Sequence, residues 1–197
     1  ALGNLDKVYK VLEECKAKPM TSLWNPANLM NRAGIEFRAH GYSEEAVEMF
    51  EQALSWLKQR PPEDAQSNDT KYLLAAALYF TQNLSEAESI LRDLCELNPE
   101  RLDYLGCLGI VLARKGDRKE ALWISEQLKN WNKPYLFGRN TFWQAAIAAA
   151  LGEKEKAIVL LRTAISQGQR YSGLYCNWAL EPLWDYPAFI ELLKPRD

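Results

Sequence analysis

Residues 31–54 read NRAGIEFRAHGYSEEAVEMFEQAL, with Gly41 between two apolar runs. In both runs the apolar residues recur at intervals of three and four, which is the spacing of one face of an α-helix. Glycine at a helix end takes the left-handed backbone conformation without a side-chain penalty. A polar step over residues 42–45 precedes the second run, and Ser43 is a candidate N-cap. The stretch therefore predicts two antiparallel helices joined by a tight turn.

The same pattern recurs three more times along the chain. When the alanines near the start of each second helix are aligned, they are 41, 34 and 36 residues apart. A period of this length indicates repeated helix pairs that stack side by side, so we predict an all-α solenoid. Three columns carry the pattern: the aligned alanines (Ala46, Ala87, Ala121, Ala157), small residues in the first helix (Gly34, Ala75, Gly109, Ala145), and turn residues (Gly41, Gln82, Gly116, Gly152).

The repeated columns resemble the tetratricopeptide repeat (TPR) family. The resemblance is closest over residues 31–54 and 83–99, and it extends over roughly residues 27–168. It departs at Ser125, where that family usually has a large apolar residue. The resemblance implies a superhelix of stacked antiparallel helix pairs. An unrelated helical bundle with a coincidental period is the alternative.

We predict a single domain over residues 1–197. Residues 5–17 are expected to be the second helix of a truncated repeat, and residues 171–197 an aromatic C-terminal cap (Trp178, Leu183, Trp184, Phe189, Leu192). The four complete helix pairs are predicted at 27–59, 68–99, 102–134 and 138–168. The polar, proline-bearing segment 60–70 reads as a longer connection, and Asn68, Asp69 or Thr70 is expected to cap the helix that follows.

Both ends indicate a piece of a longer protein. The chain opens within a repeat and without Met, and a terminus left by leader cleavage is the alternative. The tail resembles the ending of bacterial repeat proteins in which the repeats follow a serine/threonine kinase, a winged-helix domain or a TolB-like domain. This resemblance implies the C-terminal interaction module of a cytoplasmic bacterial regulatory protein, and it implies no enzymatic activity.

Composition excludes several functional classes. With 24 Lys and Arg against 26 Asp and Glu, the net charge of -2 gives no electrostatic reason to expect nucleic acid or an anionic membrane as partner. The most apolar run, residues 72–80, is shorter than the ~20 residues that cross a bilayer. His40 is the one histidine, and the cysteines form no CxxC motif. We therefore expect no metal, no cofactor and no membrane insertion.

The remaining reactive groups have ordinary structural explanations. His40 is expected to be a turn histidine, and Cys95 and Cys107 to be free thiols rather than a disulfide pair. Paired carboxylates such as Glu86 with Glu88 and Glu153 with Glu155 are expected on solvated helix surfaces. Because no nucleophile can be paired with a base, we predict that the chain is not an enzyme.

In the TPR family the first helix of each pair lines a concave wall. An alternative for its aromatic residues is packing between repeats. The predicted wall residues are Asn31, Arg32, Arg38, Tyr72, Tyr79, Asp103, Arg114, Arg139 and Trp143. Tyr, Trp and Arg often anchor interfaces, so this wall suits an extended peptide or an amphipathic helix. Some cochaperones of the family clamp a peptide carboxylate with Lys, Asn and Arg, and of the corresponding residues here only Asn31 fits.

The first hypothesis is therefore a non-catalytic protein-interaction module that binds a protein, a peptide or an upstream domain of the same chain. The second is a small-molecule sensor that uses the same wall and the aromatic tail. The third is an assembly element in which the edge formed by Val8, Leu12 and Cys15 joins another copy or a missing upstream helix; the oligomeric state stays open.

Overall fold

The computed structural model describes residues 5–16, 25–131 and 133–194. Within them every regular element is helical, which confirms the predicted all-α class. The α-helices are α1 (Leu5–Lys16), α2 (Pro26–Ala39), α3 (Ser43–Lys58), α4 (Pro62–Ala65), α5 (Asn68–Phe80), α6 (Leu84–Leu97), α7 (Leu102–Lys115), α8 (Arg118–Lys129), α9 (Arg139–Ala150), α10 (Lys154–Ser166) and α11 (Pro187–Leu193). Two 3₁₀ helices, Tyr171–Gly173 and Trp178–Leu183, lie between α10 and α11. None of these helices combines the length and apolarity that a bilayer span requires.

The turn residues of the repeat adopt the left-handed backbone conformation. Gly41, Gly116 and Gly152 have φ of 84°, 88° and 79°, and Gln82, which occupies the same column, has φ of 64°. Glycine has no Cβ to clash in this conformation, so three of the four turns are unstrained. The turn residues aligned in the sequence therefore share one backbone conformation in the structure.

Two local expectations were wrong. Ser43 is the first residue of α3 and Tyr42 precedes it as N-cap, with no side-chain hydrogen bond. The cap of α5 is Ser67, whose hydroxyl accepts from the Thr70 N–H at 3.1 Å, rather than one of the three residues after it. The connection between α3 and α5 also contains the short helix α4, which starts at Pro62 because proline suits the first turn of a helix.

The chain divides into two compact units, Ala1–Ala87 and Glu88–Asp197. In the N-terminal unit α2 packs on α3, both pack on α5, and α1 packs on α2. Gly34 in α2 lets the ring of Phe50 approach closely, since a Cβ at Gly34 would lie 2.5 Å from Phe50 Cε1. Phe50 in turn stacks on Phe80, with ring centroids 4.2 Å apart.

In the C-terminal unit α9 lies at the centre. It packs against α7, α8, α10 and the 3₁₀ helix Trp178–Leu183. Gly106 and Gly109 of α7 allow the close approach, because a Cβ at these positions would lie 2.2 Å from Trp143 Cδ2 and 2.4 Å from Ile147 Cδ1. The aligned alanines Ala121 and Ala157 are fully buried in this unit.

The aromatic tail is part of this core. Leu183, Phe189 and Leu192 are buried, and the Tyr171 hydroxyl donates a hydrogen bond to the Leu192 carbonyl. The Trp178 ring lies 6.4 Å from that of Trp143. The tail therefore covers α9 and α10 with apolar side chains.

Candidate functional site

Asn31 is the most unusual polar residue of the predicted wall. It lies in α2, and its side chain is among the few polar ones that are buried, with 5% of its surface exposed. Neither its Oδ1 nor its Nδ2 has a hydrogen-bond partner among the described residues. An unpaired buried polar group costs about 1–3 kcal/mol, so this amide is a local destabilising feature.

The two arginines that the sequence predicted in the N-terminal unit have different environments. Arg32 is exposed and donates from Nε to Asn28 Oδ1 at 3.1 Å. Arg38 is half-buried, and its guanidinium carbon lies 4.8 Å from the ring centroid of Phe50 and 6.0 Å from that of Phe80. Arg38 therefore extends over the stacked aromatic pair, where a cation is attracted to the ring faces.

The predicted tyrosines of α5 are less accessible than a binding wall requires. Tyr79 is 4% exposed and packs edge-on against Phe80, with centroids 5.4 Å apart. Tyr72 is half-buried. Of the two tyrosines, Tyr72 therefore has the larger solvent-exposed surface available to a partner.

In the C-terminal unit three predicted wall residues contact one another. Trp143 donates from Nε1 to Asp103 Oδ1 at 3.0 Å, and Arg139 forms an ion pair with the same carboxylate. Trp143 is only 6% exposed. Arg114, the remaining predicted residue, is exposed near the end of α7. The contacts of Asp103, Arg139 and Trp143 thus hold α7 to α9.

Helix α9 is buried along most of its length. Every residue from 141 to 149 is buried, because helices lie on several sides of α9 and the 3₁₀ helix Trp178–Leu183 lies on another. The sequence predicted that this helix would present Arg139 and Trp143 to a ligand. Within the C-terminal unit, the chain's own tail packs against it.

The structure gives the environments of the thiols and of the single histidine. All four cysteines are free thiols, Cys107 is buried, and burial raises the pKa of Cys95 to about 11, which keeps it protonated and unreactive at neutral pH. His40 ends α2, with Nε2 3.8 Å from Glu36 Oε2.

Three acidic residues of the C-terminal unit are paired with cations. Glu88 accepts from Lys115 at 2.6 Å and from Arg92 at 2.8 Å, and these bonds lower its pKa. Arg92 also forms a bidentate pair with Glu120, at 2.7 and 2.6 Å, which raises the arginine pKa. The network ties α6 to α7 and α8. Glu153, held by Lys156 and Arg118, likewise has a lowered pKa.

A shallow depression of about 450 Å³ lies in the N-terminal unit, open to solvent. Six of its seven lining residues have polar side chains and the depression is open, whereas small-molecule sites are enclosed. The lining residues are Glu51, Leu54, Ser55, Lys58, Gln59, Thr81 and Asn83.

Two strongly exposed aromatic side chains belong to the α8–α9 loop, which sequence reasoning missed. Tyr135 is 84% exposed and Phe137 is 63% exposed. The available signal was the density of aromatic residues in the stretch 131–137, WNKPYLF, within a segment that connects two helices.

Comparisons with known proteins provide no family assignment for this chain. No protein-family model, no curated protein and no solved structure matches it. The resemblance to the TPR family therefore rests on the repeated columns of the sequence.

Proposed function

We propose that the chain is a non-catalytic protein-interaction module of TPR type, in which the helix pairs stack as a solenoid. In this proposal an extended peptide binds over α2 and α5 of the N-terminal unit. The observation that carries it is the Asn31 carboxamide, which is buried without a hydrogen-bond partner on the helix face predicted to line the wall. A bacterial regulatory protein, with an upstream domain of the same chain as one candidate partner, remains the proposed context.

The chemistry of Asn31 suits a peptide backbone. Its side chain offers one acceptor oxygen and two N–H donors, and a peptide group offers one donor and one acceptor in complementary positions. Pairing with a ligand would remove the penalty of about 1–3 kcal/mol that the unpaired amide imposes. A leucine of similar volume would be the more stable choice for a purely structural core position, so the amide favours a binding role.

Neighbouring side chains must move for a peptide to reach this amide. Ile35 and Arg38 lie one and two turns further along the same face of α2, and both are half-buried. The Arg38 guanidinium lies over the rings of Phe50 and Phe80, and an arginine side chain can adopt other rotamers. Displacement of such a side chain would open the site and leave a guanidinium at its rim, where arginine is a frequent interface anchor.

The test is Asn31→Leu in the full chain. Random peptides displayed on phage are selected on the unmodified protein, and the selected peptides are then synthesised and titrated against both proteins. We expect Asn31→Leu to raise the free energy of unfolding by about 1–2 kcal/mol, because the unpaired amide is removed, and to weaken peptide binding at least about tenfold.

Thr141→Val is the matched control, because Thr141 is equally buried but its hydroxyl is paired with Gln167 Oε1 at 2.6 Å. This variant should lose stability and keep its affinity for the peptides. A destabilised Asn31→Leu protein that still binds the peptides would show that Asn31 is a structural residue and would remove the proposed site.

A further inference from the structure

The α8–α9 loop presents two aromatic rings to solvent side by side. The centroids of Tyr135 and Phe137 are 6.3 Å apart, with an angle of 35° between the ring planes. Burying such a side chain stabilises a protein, yet this chain leaves both mostly exposed. Contiguous exposed aromatic surface of this kind marks interaction sites.

The backbone holds these rings outward at an energetic cost. Tyr135 and Phe137 have φ of 63° and 48°, in the left-handed region that bulky residues rarely occupy. This conformation is strained because it brings the Cβ atom too close to the following carbonyl oxygen. Glycine or asparagine would relieve it at either position, so the aromatic rings are retained against the local backbone preference.

The loop is fixed at its C-terminal side by close contacts. Gly138 lies against the Ala164 carbonyl, since a Cβ there would be 2.3 Å from the oxygen. The Arg139 N–H donates to the Leu136 carbonyl at 2.9 Å, and Asn140 Nδ2 donates to the Leu128 carbonyl at 3.3 Å. The backbone that carries the two rings is therefore held in place by contacts on its C-terminal side.

The exposed area argues against a second copy of this chain as the occupant. The two rings together offer on the order of 300 Å². A stable dimer needs about 800 Å² from each partner. An area of this size instead matches a short linear segment.

The surrounding charges argue against an anionic lipid surface. Lys129 pairs with Glu126 at 3.1 Å, and Lys133, in the loop itself, pairs with Glu100. These carboxylates neutralise the lysines and would repel lipid phosphates. The exposed Arg170 has no carboxylate partner in the described parts of the chain, and it follows Gly168, which lies against Phe137.

We propose that Tyr135 and Phe137 form a docking ridge for a short proline-containing segment of a partner protein, with an acidic residue of that segment facing Arg170. The ridge has no walls to order a flexible chain, so a ligand already extended in the polyproline II conformation loses the least entropy. Proline rings pack on aromatic side chains in known recognition of such segments. This inference rests on the proposed interaction role but uses a different surface from Asn31.

The experiment titrates a fluorescently labelled peptide of repeated Pro-Pro-Glu with the full chain and follows anisotropy. Two further peptides replace every Pro by Ser or every Glu by Lys. We expect saturable binding of the Pro-Pro-Glu peptide, with affinity at least about tenfold lower for each of the other two. The double variant Tyr135→Gly with Phe137→Gly should lose the binding without a lower melting temperature, because glycine relieves the backbone strain.

Matched variants separate the outcomes. Trp123→Ser removes another exposed aromatic ring, on α8, and should leave the affinity unchanged. Arg170→Glu should reverse the preference between the Glu and Lys peptides. Equal affinity for the Pro-Pro-Glu and serine peptides, or unchanged binding by the double glycine variant, would overturn the docking ridge.

Two other readouts would also overturn it. One is sedimentation with phosphatidylserine vesicles that the double glycine variant abolishes, and the other is a concentration-dependent dimer that the same variant abolishes. Asn31→Leu should not alter binding of the Pro-Pro-Glu peptide. The docking ridge can therefore fail while the Asn31 site stands, and the Asn31 site can fail while the ridge stands.

Discussion

Gly106 shows how a single missing side chain positions a neighbouring helix. It lies in the middle of α7, where glycine is about 1 kcal/mol less favourable than alanine. The indole of Trp143 occupies the space that a Cβ would need. The close packing of α7 against α9 therefore matters more at this position than the low helix propensity of glycine. The same close packing allows the Trp143 side chain to reach Asp103.

We expect Gly106→Ala to destabilise the protein by about 1–3 kcal/mol despite the gain in helix propensity, because the indole must shift. Urea unfolding of the full chain measures the loss. Gly116→Ala is the comparison, since a Cβ there meets no atom within 4 Å and only the backbone, at φ of 88°, is strained. In a Trp143→Leu background, Gly106→Ala should cost much less unfolding free energy, whereas the cost of Gly116→Ala should not change. If Trp143→Leu reduced both costs equally, the proposed clash would be excluded.

Residue-scale prediction from the sequence succeeded where backbone geometry dictates residue type. Gly41, Gly116 and Gly152 were identified as turn residues because left-handed backbone favours glycine. Caps were less predictable: Ser43 and Ser67 are equally suitable chemically, and only the three-dimensional path of the chain decides which precedes the first turn. The unpaired amide of Asn31 could not be anticipated, since pairing depends on neighbours distant in sequence.

At the scale of single elements, α1 is attached by few contacts. Leu12 is buried, the Tyr9 ring lies 6.2 Å from that of Phe37, and the Tyr9 hydroxyl donates to Glu48 Oε2 at 2.9 Å. Burial and the adjacent Glu48 carboxylate raise the Tyr9 pKa to about 12. The hydroxyl bond is therefore a principal polar contact between α1 and α3.

Tyr9→Phe should weaken the attachment of α1 by about 0.5–1.5 kcal/mol, seen as faster amide hydrogen exchange in α1. The matched control is Tyr42→Phe, which removes a hydroxyl that has no partner in the described chain. Because the folded-state pKa of Tyr9 is raised above the unfolded value of about 10, its contribution is complete below pH ~10 and declines as the pH rises towards 12. Exchange in α1 that is equal in the two variants would contradict this attachment.

The environments of helices are harder to predict from a local pattern than their existence. Helices α7 to α10 lie at Leu102–Lys115, Arg118–Lys129, Arg139–Ala150 and Lys154–Ser166, and the helix pairs expected at 102–134 and 138–168 stay a prediction. The alanine-rich sequence of α9 indicated close packing without indicating what packs against it. Its coverage by the 3₁₀ helix Trp178–Leu183 depends on where the tail folds back, which no local pattern specifies.

At the scale of the whole molecule, we expect acidic pH to destabilise the C-terminal unit. Glu88 and Glu153 both lie in it, and their lowered pKa values come from hydrogen bonds to Lys115 and Lys156 respectively. A carboxyl whose folded-state pKa is depressed contributes stability that is complete above the unfolded value of about 4.3. That contribution is lost as the pH falls through the lower folded-state pKa.

We therefore expect the melting temperature to fall between pH ~5 and pH ~3, with loss of exchange protection in α6, α7, α8 and α10, the helices that the Glu88 and Glu153 pairs join. The double variant Glu88→Gln with Glu153→Gln should be less stable at pH 7 and show a flatter dependence on pH. Glu126→Gln, which alters an exposed pair within α8, should leave the pH profile unchanged, since exposed pairs contribute little. A double variant as acid-sensitive as the unmodified chain would assign the sensitivity to other groups.

The path of the tail has a consequence for biosynthesis. A ribosome delivers α9 before residues 178–183, so for an interval the emerging chain contains a largely apolar helix that the 3₁₀ helix does not yet cover. A chain released prematurely in that interval would expose alanine, isoleucine and tryptophan surface of the kind that chaperones and proteases recognise. Synthesis of residues 178–183 ends that interval, because they then pack against α9.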